Sequence, residues 1–171
     1  KGLNIKEAPI AEPAAVALHA VDLGEKRLFK TLESSKVLVI GCGAIGLLCG
    51  LIISKIKNCK NIVIVDPNKK RLKECKEYLT ADAVNPNSKI IIDDHFDIVF
   101  DTVGLEITRQ QAIRSIKSGG IIIHIGLTQS SGSFNFRKTT LQEITFIGTY
   151  CYTNKDFEKT LNILTNKKIG S

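Results

Sequence analysis

The sequence has no C-x-x-C pair, few aromatic residues and no long apolar run, and each lack removes a class of function. Five cysteines (Cys42, Cys49, Cys59, Cys75 and Cys151) are odd in number and irregular in spacing. That argues against a disulfide framework and against a structural zinc knuckle. Reduced, buried thiols in a cytoplasmic protein are the simplest reading. The longest apolar stretch, residues 47–53, is broken by Gly50 and is too short to span a bilayer. No basic-then-apolar signal peptide opens the sequence as it stands. Aromatics are only 6% and no nucleic-acid motif accompanies the net charge of +7. The basic residues, densest at Lys69-Lys70-Arg71, Lys73 and Lys76, therefore read as a solvated surface with no nucleic-acid partner. At 171 residues, 43% hydrophobic and 24% charged, the composition is that of one globular domain. The opening Lys1-Gly2-Leu3, without a Met, reads as a segment of a longer protein.

What is present is an alternation of β-branched runs with helical patterns. Strands are expected at 36–40, 61–66, 96–101, 120–125 and 144–148, with a short one at 82–85. Runs apolar at nearly every position suit strands buried on both faces, hence a parallel sheet. Helices are expected over 13–22, 44–57, 68–79 and 106–117, and after the capping-box pattern Thr153-x-x-Asp156. This is an α/β fold, a doubly wound six-stranded parallel sheet of order 3-2-1-4-5-6. Residues 86–95 are ambiguous: a crossover helix is due there, yet 89–94 read equally well as strand.

The first strand runs directly into Gly41-Cys42-Gly43-Ala44-Ile45-Gly46, and a helix starts on those glycines. In a strand-to-helix turn this G-x-G-x-x-G spacing suits a dinucleotide. Gly41 allows the tight turn, Gly43 lets a pyrophosphate approach the backbone, and Gly46 lets helix and strand pack closely. Free N–H groups at the helix start then face the phosphates. Asp66 ends the second strand, placed to accept hydrogen bonds from both adenosine ribose hydroxyls and to repel the 2′-phosphate of NADP, so NAD is the expected cofactor. A plain turn-forming Asp before Pro67-Asn68 is the other reading. Lys69-Lys70-Arg71 pulls towards NADP, since cations near the ribose welcome a phosphate.

Several blocks together resemble zinc-dependent medium-chain dehydrogenases. Glu12-Pro13-Ala14-Ala15-Val16-Ala17-Leu18-His19-Ala20 is similar to that family's E-P-x-x-V-A-x-H-A segment. The stretches 41–48 and 66–72 resemble its next two blocks, and Asp101-Thr102-Val103-Gly104, Gly119-Gly120, Ile125-Gly126-Leu127 and Gly148-Thr149-Tyr150-Cys151-Tyr152 its later ones. The match runs in order over nearly the whole chain and is nearest to the sorbitol, polyol and threonine dehydrogenase branch. The resemblance implies a Rossmann domain that binds NAD, in an enzyme passing a hydride between a secondary alcohol or polyol and the cofactor. It implies cofactor contacts at Gly41, Gly43, Ala44, Ile45, Gly46, Asp66, Arg71, Val103, Ile125, Gly126, Leu127, Thr149 and Tyr150. Tyr152 matches a position near substrate, while Cys151 stands where sorbitol dehydrogenases carry an arginine. Glu12 matches a glutamate at the catalytic zinc of the intact enzyme, although a helix-start acid is the plainer reading.

The family's catalytic domain has no counterpart in this sequence. The chain is therefore expected to be an excised coenzyme domain, inactive alone and holding no zinc: residues 1–12 leading in, 13–152 binding the cofactor, and 153–171 leading back. Family resemblance also points to a homo-oligomer joined through the sheet edge near Ile147. Cys42 lies where a helix N-terminus lowers a thiol's pKa, though a small loop residue is the simpler reading. His19, His95 and His124 are scattered without ligand spacing and read as packing or surface residues. A nucleotide-sensing domain without enzymatic activity also needs the loop and Asp66, and a methyltransferase uses a related Gly-rich loop; both stay open as alternatives.

Overall fold

The computed structural model describes residues 3, 5, 7–89 and 91–169. Parts of the expected leading and closing segments (1, 2, 4, 6, 170 and 171), and Ile90 of the ambiguous stretch, lie outside the described residues. Six strands, β1 (Val37–Ile40), β2 (Ile62–Val65), β3 (Asp82–Val84), β4 (Phe96–Asp101), β5 (Ile116–His124) and β6 (Thr145–Gly148), form one sheet of order β3-β2-β1-β4-β5-β6. Every pairing is parallel, so all six strands end on the same edge. This is the expected doubly wound order.

Alternation along each strand divides the core into two layers. Val37, Val39, Ile62, Ile64, Ile98, Phe100, Ile121 and Ile123 face one cluster with helices α1 (Ala11–Glu25), α2 (Ala44–Leu51) and α6 (Asn154–Thr165). Leu38, Ile40, Val65, Val99 and Ile122 face the other, with α4 (Glu106–Ser115). Side chains successive in sequence point to opposite faces, so a strand covered on both sides must be apolar throughout. Each fully buried Val, Ile or Phe contributes about 1.5–3 kcal/mol.

The helices start where local chemistry supplies acceptors. Asn68 caps α3 (Lys69–Tyr78) by accepting from the N–H groups of Lys70 and Arg71, at 2.9 and 3.2 Å. Thr153 and Asp156 form the expected capping box on α6, and Asp156 also accepts from His19 Nδ1 of α1 at 2.8 Å. The expected helix over 44–57 is α2 followed by a π-helical turn, Ile52–Ile56, that stops at Asn58 (φ 56°).

Three details differ from expectation. Residues 86–89 are a turn: Asn85 accepts from the N–H groups of Asn87, Ser88 and Lys89, and neither helix nor strand forms among the described residues of 86–95. Asn85, Pro86 and Asn87 favour that local bonding over a regular ladder. β5 begins at Ile116, inside the expected helix, because α4 ends at Ser115 and the chain turns through Gly119 at φ 69°. A short helix, α5 (Phe136–Leu141), was not expected; Asn135 caps it by accepting from Lys138 N.

Candidate functional site

The loop between β1 and α2 is shaped by two close approaches. Gly41 adopts φ 98°, and a Cβ there would lie 2.6 Å from both Thr102 Oγ1 and Val103 Cγ2. At Gly46 a Cβ would lie 2.0 Å from the Gly41 carbonyl oxygen. Only glycine permits that turn and that contact. Gly43 is different: nothing lies within 4 Å of where its Cβ would be. It is the N-cap of α2 and offers no side-chain acceptor. Among the described residues no protein acceptor meets the N–H groups of Gly43, Ala44, Ile45 or Gly46. Unpaired donors, the positive end of the helix dipole and open space above them are the features an anion site requires.

Asp66 stands beside this opening. Its Oδ2 accepts from the N–H of Cys42 at 2.9 Å and its Oδ1 from the N–H of Asn68 at 2.8 Å. The side chain is only 5% exposed, and Arg71 Nη1 lies 3.7 Å from Oδ2. The carboxylate thus faces the loop, with lone pairs beyond the two backbone bonds to offer a ligand.

The other expected contact residues lie along the same sheet edge. Thr102 donates its hydroxyl to Ile40 O at 2.8 Å, which joins the end of β4 to the end of β1. Val103 and Gly104 pack on Gly126 so closely that a Cβ on Gly126 would fall 2.0 Å from the carbonyl carbon of Val103. Ile125 and Gly126 both donate their N–H groups to Asp101 O. Thr149 donates its N–H to His124 O at 3.0 Å, while its buried hydroxyl has no partner. Loop, Asp66, Val103, the 125–127 turn and Thr149 therefore form a continuous rim. Leu127 and Tyr150 project from it, 77% and 78% exposed. Tyr152 instead stacks on Phe157 of α6, with ring centroids 5.6 Å apart. Glu12 is exposed in the first turn of α1. Among the described residues no group of three or more His, Cys, Asp or Glu side chains is placed to hold a metal ion.

Two residues that organise the rim were not singled out from the sequence. Asp101 is wholly buried and accepts from the N–H groups of Val103 and Gly104 and from the Thr108 hydroxyl, which fixes the turn after β4. Arg109 of α4 donates to the carbonyls of Gly104, Gln129 and Ser131, and so ties the loop beyond Leu127 to the turn after β4. Asp101 carries a signal, an acid ending an apolar strand before Thr-Val-Gly. Arg109 carries none, since its acceptors are backbone atoms brought close only by folding.

Comparison with known proteins places this arrangement in a lineage. A family model described as zinc-binding dehydrogenase matches residues 44–166. Probable diacetyl reductase [(R)-acetoin forming] 2 of Saccharomyces cerevisiae is 33% identical over 95% of this chain and 40% of its own length. Sorbitol dehydrogenase 1 of the same yeast is 22% identical over 99% of this chain and 50% of its own. This chain thus spans half or less of the length of these two curated relatives. Among solved structures, L-idonate 5-dehydrogenase from Escherichia coli superposes with a TM-score of 0.87 at 24% identity, over 98% of this chain and 48% of that one. A short chain alcohol dehydrogenase from Escherichia coli CFT073, complexed with NADH, gives 0.83 at 22% identity, over 99% of this chain and 50% of that one.

Proposed function

The chain belongs to the zinc-binding dehydrogenase family, and we propose that it is the half of such an enzyme that holds NAD while a secondary alcohol or polyol is oxidised or its ketone reduced. The observation that carries this reading is the pairing of unfilled space over Gly43 with the Asp66 carboxylate one hydrogen bond away, at the N–H of Cys42. Names among the relatives, sorbitol dehydrogenase and diacetyl reductase, support the substrate class.

The residues present fit the cofactor. N–H groups of 43–46 would hold its diphosphate, and Asp66 would accept from the hydroxyls of an unphosphorylated ribose. Arg71 would flank the adenosine, with Val103, Ile125, Gly126, Leu127, Thr149 and Tyr150 along the nicotinamide end of the rim. Bound NAD supplies the hydride acceptor. The rim residues of the chain would hold that acceptor against a substrate carbon, which would make transfer effectively intramolecular. Asp101 and Arg109 keep the rim in place by holding its two turns together. A zinc ion does not fit the described residues of this chain, because Glu12 belongs to no group of three or more His, Cys, Asp or Glu side chains placed to hold one. In the intact enzyme the metal would be held by residues elsewhere, and Tyr152 would lie towards substrate. In this reading 13–152 bind the cofactor, with 1–12 and 153–171 leading to the rest of the enzyme.

The sheet edge at β6, with Phe146 37% exposed, would pair with a second copy of the chain. No helix among the described residues is long and apolar enough to cross a membrane. Four of the five free thiols are buried, which suits a reducing compartment and the cytoplasm.

Titration of NAD into wild type and Asp66→Ala tests the reading. Loss of hydrogen bonds to a charged group should weaken NAD by about 10–100-fold. It should weaken NADP less, because the same change removes a repulsion. Circular dichroism checks that the variant is folded, and Asp66→Asn, which keeps one acceptor for Cys42 N, provides a milder second variant. Equal NAD affinity in a folded Asp66→Ala protein would overturn the proposal.

A further inference from the structure

His124 ends β5, and its ring holds a buried nitrogen, Nε2, that has no hydrogen-bond partner. That nitrogen lies 3.8 Å from Oδ2 of Asp101, too far for a hydrogen bond and within ion-pair range. The carboxylate it faces is wholly buried and poorly served on that side. Oδ1 of Asp101 accepts from the N–H groups of Val103 and Gly104, at 3.1 and 3.0 Å. Oδ2 has only the Thr108 hydroxyl at 3.2 Å, whose single proton has a nearer acceptor in Leu105 O at 2.9 Å. Among the described residues His124 is the one basic side chain in ion-pair range of this carboxylate. A buried charge needs a partner, and a buried ring nitrogen left unpaired calls for a reason.

The pair sits where the second half of a dinucleotide would lie. With a diphosphate over Gly43, after β1, and an adenosine at Asp66, after β2, the remaining nucleoside runs the other way along the carboxyl edge, over β4 and β5. Asp101 ends β4, and its backbone carbonyl accepts from Ile125 and Gly126, so it anchors both turns of that part of the rim. The nicotinamide ring there is a cation in the oxidised cofactor and neutral in the reduced one.

We propose that Asp101 and His124 set the preference of the rim between the two forms of the cofactor: the carboxylate alone favours the cationic ring of oxidised NAD over NADH, and a proton on His124 cancels that advantage. The assignment rests on the cofactor reading above. Spacing in the sequence marked His124 only as a packing or surface residue.

Imidazole is the side chain whose charge ordinarily changes between about pH 5 and 8. The His124 ring keeps 17% exposure, which leaves the proton a path from solvent. With the ring neutral, the pair carries one negative charge in an interior that screens it weakly. With the ring protonated, the pair is neutral and a donor faces Oδ2. The surrounding groups do not imitate this change. From β6, Phe146 lies against the imidazole with ring centroids 5.5 Å apart, and it does not titrate. The loop of residues 127–135 carries no ionisable side chain. On α4, Arg109 is bonded to three carbonyls and Arg114 is exposed beside Gln111; both keep their charge. Glu106 is held below the ordinary carboxylate range by its hydrogen bonds to Ser133, so it stays charged near neutrality. Arg137 and Lys138 of α5 remain cationic there. Beyond β6 stand Tyr150 and Cys151, both exposed.

The test uses the chain carrying Cys151→Ser, so that the thiol at the rim adds no charge of its own. Affinities for NAD and NADH are titrated separately from about pH 6 to about pH 8.5, and the ring protons of His124 are followed by NMR over the same range. The ratio of the two affinities removes any effect of pH on the diphosphate and adenosine ends, which the two forms share. Preference for NAD over NADH should fall about fivefold towards the acid end, the size of one unit charge acting through partly solvated protein. Its midpoint should coincide with that of the His124 ring. His124→Gln, which keeps a donor without a titrating proton, should hold the preference level at the alkaline value of the parent chain. His124→Leu should do the same, and circular dichroism checks that each is folded. A level preference in the parent chain overturns the assignment. So does a ring that gains no proton over this range, and so does a pH dependence that survives in both folded variants. A chain that bound neither form at any pH would sink the cofactor reading itself, a result distinct from binding both with a level preference.

Discussion

Gly43 and Gly46 stand three residues apart in one loop, and the same methyl group would act on them in opposite ways. At Gly43 it enters open space, and the backbone (φ −76°, ψ −171°) is one an alanine adopts freely. Gly43→Ala should keep its stability within about 0.5 kcal/mol. The methyl would nonetheless stand over the N–H groups of the helix start, so NAD affinity should fall by about tenfold or more. At Gly46 the methyl meets the backbone of Gly41 at 2.0 Å, and neither strand nor helix can yield cheaply. Gly46→Ala should cost about 1–3 kcal/mol or more, read as a lower midpoint of thermal unfolding. Should Gly43→Ala bind NAD like the wild type, the space above that residue is not where a diphosphate sits. The open space at Gly43 and the close approach at Gly46 were legible in the sequence, because glycine spacing after a buried strand restricts what the backbone does. Asp66 was legible for the same reason, its place at a strand end. Arg109 was not, since its backbone acceptors at Gly104, Gln129 and Ser131 come within reach only when α4 packs.

At the scale of the elements, the strand and helix runs followed from apolar periodicity, and errors fell where local bonding decides. Residues 86–89 follow the side chain of Asn85, and β5 takes in residues whose composition suits the end of α4. Charge pairing between elements was likewise invisible. Asp97 of β4 accepts from the N–H of Lys36 at 2.7 Å, pairs with Lys30 at 2.7 Å, and pairs with Lys117 of β5. Asp22 of α1 pairs with Lys57 and with Lys159 of α6, each at 2.6 Å. Burial alone would raise both carboxyl pKa values, but the lysine partners, and for Asp97 the N–H of Lys36, outweigh it and hold both below the ordinary range. A depressed folded pKa means stability fully present above the unfolded value of about 4 and lost as pH falls through the folded value. The thermal midpoint should therefore stay level on this account down to about pH 5 and drop below about pH 4. Asp97→Asn should lower the midpoint near neutrality, by about 1–3 kcal/mol of stability, and flatten part of the acid drop. An unchanged acid limb in that variant would show that Asp97 contributes nothing to it.

For the whole molecule the open question is what meets the edge at β6. In a parallel sheet alternate residues of an edge strand bond inward and outward. Thr149 donates its N–H inward to His124 O, so the N–H of Gly148 points outward, away from β5. An outward row of unpaired donors and acceptors invites another strand. Beside it Phe146 packs on Phe134 and His124 but stays 37% exposed, which leaves apolar surface for a partner to cover. Proline is tolerated on an edge strand where its missing N–H faces away from the sheet, and nothing lies within 4 Å of a Cβ at Gly148. Gly148→Pro should therefore leave the β5 pairing intact while removing one donor from the edge. If two copies join through β6, sedimentation should show a dimer in wild type and a shift towards monomer in Gly148→Pro, with far-UV circular dichroism unchanged. A variant that is folded and equally dimeric would place the contact elsewhere, and a wild type that is monomeric at every concentration would leave this edge unpartnered.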